Sequence, residues 1–265
     1  MTLWIRFEHE GTAAFGTLEN DTITVHRGSM FSSPEPTTQK LPLSSVTLLR
    51  PAEPSKMIAL WNNFHKLAEK INSPVPAEPL YFIKNPGSFA DPDTTICQPA
   101  AYAGKVVYEG ELGIVIGKAC LNASEEEAAA AIFGYTCVND VTAIDILNRD
   151  PTFAQWTRAK GFDGFGPFGP AIATGLDPNT LRVRTILNGD ERQNYPISDM
   201  VFPAAALVAK ISHDMTLLPG DIISCGTSIG VGTMKLAENV IEIEIAGIGT
   251  LRNTFTLWHQ RSGDG

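Results

Sequence analysis

Short runs of β-forming residues recur along this chain from end to end, and helical segments do not alternate with them regularly. That pattern argues against a doubly wound parallel sheet, which places a helix after nearly every strand. It predicts an α+β protein that is mostly β, with a few covering helices. Leu3–Phe7, Ala13–Leu18 and Thr22–Gly28 are β-type runs separated by Gly11 and by Glu19-Asn20-Asp21. Ser29–Lys40 is rich in Ser, Pro and Thr and reads as a linker or loop. The expected division is a small β-rich N-terminal subdomain over 1–52, a larger domain over 53–258 and a tail over 259–265.

Further on, the signals sharpen. Lys56–Leu60 reads as a short buried strand, Leu80–Ile83 as another, and Val106–Ile116 as one long strand with glycine interruptions. Asn63–Ile71 fits one short helix, with Asn62 or Asn63 as N-cap and Phe64, Leu67 and Ile71 on one face. Ser124 with Glu127 forms a capping box ahead of an alanine-rich helix that runs to Phe133. Tyr135–Asn139 and Ala171–Thr174 read as strands. Leu181–Asn188 alternates and meets Asn188-Gly189, a hairpin turn. Pro203–His213 is a helix that opens on proline. Pro219-Gly220-Asp221 turns into the strand Ile222–Cys225, and Val240–Ile245 and Gly249–Thr256 close the chain as strands.

Charge narrows the function classes. Lys and Arg number 20 against 29 Asp and Glu, a net charge of −9. Without a basic tract, such a chain repels phosphate backbones and anionic lipid, so nucleic acid and membrane surfaces are not expected partners. No apolar run reaches the ~18 residues of a membrane span. Met1–Gly11 lacks the basic start and apolar block of a secretory signal. Cys97, Cys120, Cys137 and Cys225 are scattered, with no paired spacing, and read as reduced, mostly buried thiols. The expectation is a soluble cytoplasmic globule.

Five groupings could carry chemistry. Glu109 and Glu111 stand two apart on a β-type run and so share one face, about 7 Å apart along a strand. Tyr108, Leu112, Ile114 and Ile116 take the other face. Two carboxylates on one strand face require solvent, a cation or a metal, and the bland alternative is a solvated face. Asp140 follows the apolar run Ile132–Val138 and is either a turn or cap residue or a third carboxylate. If Glu109, Glu111 and Asp140 converge, they make an all-oxygen site suited to Mg²⁺ or Mn²⁺. Lys160 lies among glycines and aromatics, either as a surface lysine or beside a ligand. Gly226–Gly232 is a glycine-rich loop after a buried strand whose backbone N–H groups could hold an anion, though no Walker lysine closes it. His65 and Glu69 share a helix face at i and i+4, as an ordinary ion pair or as an oriented imidazole. His9, His26, His213 and His259 have no partner pattern and read as structural.

The order of these pieces resembles the fumarylacetoacetate hydrolase superfamily. The resemblance rests on Glu78–Lys84, Tyr108-Glu109-Gly110-Glu111-Leu112, Gly134–Thr136 through Asn139–Thr142, and Lys160 with Asp163-Gly164-Phe165 and Gly169-Pro170. It continues through Met200–Phe202, Thr216–Asp221, Gly226-Thr227 and Gly230–Gly232, and covers about residues 56–255. Some phrasing is similar to the isomerase/decarboxylase branch of homoprotocatechuate degradation. The resemblance implies a mixed β-roll core with peripheral helices, usually a homodimer. It implies Mg²⁺ or Mn²⁺ held by Glu109, Glu111 and Asp140, a lysine near the metal at Lys160, and substrate contacts from Gly226 and Thr227. A lid helix in many members carries a His-x-x-Glu pair, which maps onto His65 and Glu69.

Three departures from the family pattern stand out. The lid reads Asn62-Asn63-Phe64-His65-Lys66, which either shifts the histidine by one place or puts Lys66 there. Ile144 and Leu147 stand where the family commonly has arginine and glutamine, and Ser228 stands where proline is usual. The implied chemistry is cleavage of a C–C bond in a small 1,3-dicarbonyl or 2-oxo acid. Hydrolysis and decarboxylation both leave an enolate, whose charge a divalent cation would withdraw and Lys160 would stabilise. Hydrolysis, placed slightly ahead, needs His65 as general base with Glu69 orienting it. Decarboxylation or isomerisation of an oxo acid is the alternative, and a non-catalytic small-ligand binder is the rival from another class.

Overall fold

The structure, a computed structural model, describes residues 1–257. The tail expected over 259–265, with His259, lies outside the described residues, as does the last residue of the expected larger domain. The chain opens with β1 (Thr2–His9), β2 (Thr12–Glu19), β3 (Thr22–Ser29), β4 (Ser33–Pro42) and β5 (Thr47–Leu49). Next come β6 (Met57–Trp61), α1 (His65–Lys70), β7 (Leu80–Lys84), β8 (Phe89–Ala90), β9 (Thr95–Cys97), β10 (Val106–Tyr108) and β11 (Gly110–Ile116). They are followed by α2 (Glu125–Ala131), β12 (Ile132–Asn139), β13 (Thr142–Ala143), α3 (Ile144–Leu147), α4 (Trp156–Lys160) and β14 (Gly166–Thr174). The remainder is β15 (Arg182–Leu187), β16 (Asp190–Pro196), α5 (Ala204–Asp214), β17 (Ile222–Ser224), β18 (Gly232–Thr233), β19 (Glu238–Ile245) and β20 (Gly249–Thr256).

The expected mostly-β architecture is what the chain adopts. Twelve strands form one mixed sheet whose path runs β4-β3-β2-β1-β14-β12-β11-β17-β6-β7, with β5 paired to β1 and β8 to β14. A five-stranded sheet, β16-β15-β19-β20-β9, packs on it, and β13-β10-β18 makes a third, small sheet. The main core lies between the two large sheets: Ile58, Ile114 and Ile223 meet Val183, Ile241, Ile243 and Ile245. Met57, Val115, Val138 and Ile222 point into a second cluster on the opposite face. β11 is therefore buried on both sides, which accounts for its unbroken apolar run from Ile114 to Ile116.

Turn chemistry works as the sequence indicates. Asn20-Asp21 and Asn188-Gly189 both sit at positive φ, the geometry that lets a two-residue turn follow strand twist. The Ser124–Glu127 capping box is present and opens α2. No helix among the described residues is long and apolar enough to cross a membrane.

Several expectations are corrected. The stretch Ser29–Lys40 is the end of β3 and most of β4, not a linker. Pro34, Pro36 and Pro42 are tolerated because β4 is the outermost strand and has a free side. The run Val106–Ile116 is two strands in two different sheets, broken at Glu109. The helix after β6 begins at His65 with Phe64 as its N-cap and no side-chain cap. Asn62 and Asn63 turn inward instead: the Asn63 amide donates to Cys225 O at 2.9 Å, and its carbonyl oxygen accepts from Phe202 N at 3.1 Å. Of the four thiols, Cys137 and Cys225 are buried, Cys120 is half-buried and Cys97 is exposed.

One buried carboxylate ties the β6–β17 pair together. Asp221 accepts from Ser55 N at 3.0 Å, Ser55 Oγ at 2.6 Å, Lys56 N at 3.2 Å and Leu218 N at 2.9 Å, and pairs with the Lys56 ammonium. Removing it leaves that cation and those donors without their partner. Asp221→Ala is expected to lower unfolding stability by about 3–5 kcal/mol, measured by urea titration; a change within error would show that the turn is held by something else.

Candidate metal centre

The break at Glu109 builds the site. Where β10 ends, the Glu109 N–H donates to the Asn139 side-chain oxygen at 3.0 Å, and Asp140 N–H donates back to Glu109 O at 2.9 Å. The β11–β12 register sets Gly110 opposite Asn139 and Glu111 opposite Val138. Asp140, the next residue after β12, therefore lies beside Glu109. Carboxylate oxygens of Glu109, Glu111 and Asp140 all come within 4.8 Å of one another.

Each carboxylate is held differently. Glu111 is fully buried; its Oε2 accepts from Ser224 Oγ on β17 and from Gly226 N at 2.9 Å. Its Oε1 is buried and has no hydrogen-bond partner. Asp140 bridges two ammonium groups: Oδ1 accepts from Lys84 Nζ at 2.6 Å, and Oδ2 accepts from Lys160 Nζ at 2.6 Å. Glu109, whose side chain retains 15% exposure, accepts from Lys160 Nζ at 2.7 Å. Lys160 spends its third donor on Thr142 Oγ1 at 2.7 Å.

Electrostatics follow from this packing. Burial raises the Glu111 carboxyl well above its usual range, and the neighbouring charges of Asp140 and Glu109 push the same way. Burial also raises Glu109, against the opposing pull of Lys160. For Asp140, burial works upward, but Lys160 and Lys84 outweigh it and hold the group below the ordinary range. Burial works against the Lys160 charge, yet Asp140, Glu109 and Glu111 overcome it and keep this ammonium protonated more firmly than a free lysine. Lys84 goes the other way: burial lowers it, and Asp140 only partly compensates.

The residues fit a hard divalent cation. Three carboxylates face two ammonium groups, so one negative charge is unmatched when all are ionised. The Glu111 Oε1 atom is a carboxyl oxygen buried without a hydrogen-bond partner, and its ionised form costs free energy unless a cation meets it. An all-oxygen donor set is what Mg²⁺ and Mn²⁺ select.

The structure thus brings Glu109, Glu111, Asp140 and Lys160 together. The solvated-face reading of the glutamates is overturned because Glu111 is fully buried and Glu109 is largely covered, and the surface-loop reading of Lys160 because it ends α4 and is 3% exposed. Gly226 and Thr227 are adjacent, and the anion that this glycine-rich loop holds is the protein's own Glu111. Thr227 Oγ1 donates to Gly110 O at 3.0 Å and accepts from Gln193 Nε2 at 2.8 Å. His65 and Glu69 stand exposed on α1, and no hydrogen bond joins them. Lys84 carries a role that sequence reasoning missed. The sequence carries no local signal for it: a lysine that closes an otherwise apolar strand ordinarily marks solvent, yet in β7 it is fully buried while Leu80 and Ile83 are exposed.

Beside the carboxylates lies a cavity of about 190 Å³. Glu109, Lys160 and Thr227 line its polar end, and the rest comes from the end of β6 with Asn62, from α1 and Ile71 after it, from α3, and from Trp156 and Val231. Trp156 stacks on Phe82 at 5.4 Å between centroids and contacts Trp61 at 5.7 Å, which fixes α4 and hence Lys160.

Comparison with known proteins agrees with this geometry. Residues 56–256 match the family model for the C-terminal domain of fumarylacetoacetate hydrolase, and residues 3–51 match a second model, Rv2993c-like, N-terminal. A protein of Archaeoglobus fulgidus is 45% identical over 215 residues, 81% of this chain and 84% of its own. The mitochondrial oxaloacetate tautomerase of Xenopus laevis is 37% identical over 220 residues, 79% of this chain and 68% of its own. The crystal structure of 2-hydroxyhepta-2,4-diene-1,7-dioate isomerase from Mycobacterium marinum superposes with a TM-score of 0.89 at 36% identity, over 98% of this chain and 100% of that one. A maleylpyruvate hydrolase from Sphingobium sp. SYK-6, solved with manganese(II) and pyruvate, gives a TM-score of 0.77 at 26% identity, over 98% and 100%. On the family match over most of its length and on these relatives, the chain belongs to the fumarylacetoacetate hydrolase family, whose members are divalent-metal-dependent enzymes.

Proposed function

We propose that this protein is a Mg²⁺- or Mn²⁺-dependent enzyme acting on a small 2-oxo acid or 1,3-dicarbonyl acid through its enolate. The observation that carries the reading is the unpartnered Glu111 Oε1 within a three-carboxylate cluster, next to a buried ammonium at the floor of a cavity. The ion would be held by Glu109, Glu111 and Asp140 and would supply Lewis acidity toward the oxygens of the acid. Lys160 contributes a fixed positive charge at the polar end of the cavity, where an enolate oxygen develops. It does not act as a base, because three acceptors keep it protonated. Thr142 and Asp140 hold the ammonium in place without having to reorganise during the reaction.

Two completions of the reaction differ in their need for water. C–C cleavage by hydrolysis requires a positioned base, the role assigned by resemblance to His65 with Glu69. Return of a proton to carbon, as in a keto–enol tautomerase or isomerase, needs no nucleophilic water; it needs a proton donor to C3 and an acceptor for the enol O–H proton, both of which solvent can supply. The exposure of His65 and Glu69, with no bond between them, favours the second completion. A tautomerase and an isomerase among the relatives above support it. Product analysis separates the two: hydrolysis yields two acids, while tautomerisation leaves the carbon skeleton intact and is followed by exchange of the C3 protons in D₂O.

Two outcomes test the site. Mn²⁺ at about a hundred times its dissociation constant is expected to stabilise the protein by about 2.7 kcal/mol, read as a rise in Tm that EDTA reverses. In Glu111→Gln the amide oxygen can keep the bonds from Ser224 and Gly226, while the amide N–H₂ replaces the orphaned oxygen. This variant is expected to be more stable than the parent without metal, by about 1–3 kcal/mol, and to lose the Mn²⁺ shift. A variant that keeps the full shift would remove Glu111 from the metal site. Lys160→Met is expected to lower kcat by about 10²–10³-fold while Mn²⁺ binding persists; an unchanged kcat would end the proposed role of this ammonium.

A further inference from the structure

The cavity wall says what the far end of the substrate is. Away from Glu109, Lys160 and Thr227, the wall is apolar except for Asn62: Leu67 on α1, Ile71 just after it, Ile144 and Leu147 on α3, Trp61 and Trp156 line it, and the Asn62 amide N–H₂ already donates to Pro74 O at 3.1 Å. Among the lining residues the charged ones are Glu109 and Lys160. All three donors of Lys160 are committed to Glu109, Asp140 and Thr142. Arg158, on the same helix as Lys160, is exposed and is not among the lining residues. A second carboxylate on the substrate would therefore be desolvated against aliphatic and indole surface with no cation to meet it, which is strongly disfavoured. A methylene or methyl there is favoured, by about fourfold in affinity for each buried CH₂.

From this wall we infer that the site takes a 2-oxo acid whose distal end is apolar and uncharged, rather than a dicarboxylic oxo acid. The inference rests on the functional reading above and adds the substrate class. The volume of about 190 Å³ is below the usual range for drug-sized ligands, so the acid is small. Ile144 and Leu147 lie one turn apart on α3 and Ile71 faces them from the end of α1, so these three are the specificity-determining positions.

Binding tests the inference separately from turnover. The full-length protein with saturating Mn²⁺ is titrated calorimetrically with 2-oxohexanoate and with 2-oxoglutarate, acids of similar length that end in a methyl and a carboxylate. The expected result is at least about tenfold tighter binding of 2-oxohexanoate. Ile144→Arg, which sets a guanidinium in the wall, is expected to invert that order. Ile71→Lys alters a position already 44% exposed, so it serves where Ile144→Arg does not fold, and it is expected to narrow the ratio. Equal or tighter binding of 2-oxoglutarate by the parent protein overturns the inference and leaves the functional reading standing. An unaltered ratio in folded variants overturns the role of the wall. Binding of neither acid in the presence of Mn²⁺ overturns the functional reading itself.

Discussion

Asp140 between two ammonium groups is the contact on which the site depends. A carboxylate removed from water is unfavourable by itself, and so is a buried lysine. Here the charges are stacked, Lys84 to Asp140 to Lys160 to Glu109, so each is met on at least one side. Buried ion pairs of this kind contribute little net stability over a well-packed apolar core, because desolvation offsets the attraction. What they provide is a fixed electrostatic field. Lys160 is pinned by three acceptors, so its charge faces the cavity without needing solvent or neighbouring side chains to rearrange around it. Lys84 has no route to the cavity. It donates to Asp140 and to the backbone oxygen of Lys160, and so anchors both the third carboxylate and the end of α4 from behind.

The second requirement is that two glutamates separated by one glycine aim at the same place. Gly110 makes this possible. A Cβ on that residue would lie 2.1 Å from Thr185 Oγ1 and 2.9 Å from the Ile243 side chain, so the five-stranded sheet packs directly on its backbone. From that side Gln193 accepts the Gly110 N–H at 3.0 Å, and the Gly110 carbonyl accepts from Tyr195 at 2.6 Å and from Thr227 at 3.0 Å. β15 and β16 carry Thr185, Gln193 and Tyr195 and bring no charge to the carboxylate cluster. Their contribution is to hold the corner between β10 and β11, and with it the spacing of Glu109 and Glu111. The small second sheet is thus part of the metal site even though none of its residues is a candidate ligand.

Much of this was legible in the chain. Glu109, Glu111 and Asp140 stand out because strongly charged residues interrupt apolar strands, and the ordered family resemblance joins segments that spacing alone cannot. Asn188-Gly189, the Ser124–Glu127 box and the alternation of Ile241, Ile243 and Ile245 declare their elements locally, since each depends on backbone conformation or strand period. The failures concern tertiary context. Pro34 and Pro36 lie in a strand because β4 is at the sheet edge, which no local signal reports. Asn62 and Asn63 resemble helix caps, yet Asn63 bonds across the chain to Cys225 and Phe202, and the helix starts without a side-chain cap. Lys84 was hidden for the same reason. A lysine at a strand end normally marks solvent, and only the arrival of Asp140 and Lys160 from distant segments makes its burial tolerable.

The charged floor and the apolar wall are one device. Electrostatic attraction strengthens as water is excluded, because the effective dielectric falls. Leu67, Ile71, Ile144 and Leu147 line the cavity above Lys160 and Glu109, so the side chains that would select an uncharged substrate tail are also those that keep solvent from the ammonium. Trp156 couples the two parts: it lines the cavity, stacks on Phe82 and begins the short helix that ends in Lys160. A polar residue introduced into the wall would then act twice, by offering a partner to a charged tail and by admitting water that screens Lys160. On the proposed reading, specificity and rate would for that reason not be separable in this cavity, and a gain in acceptance of dicarboxylic acids should come with a weaker field at the carboxylate cluster.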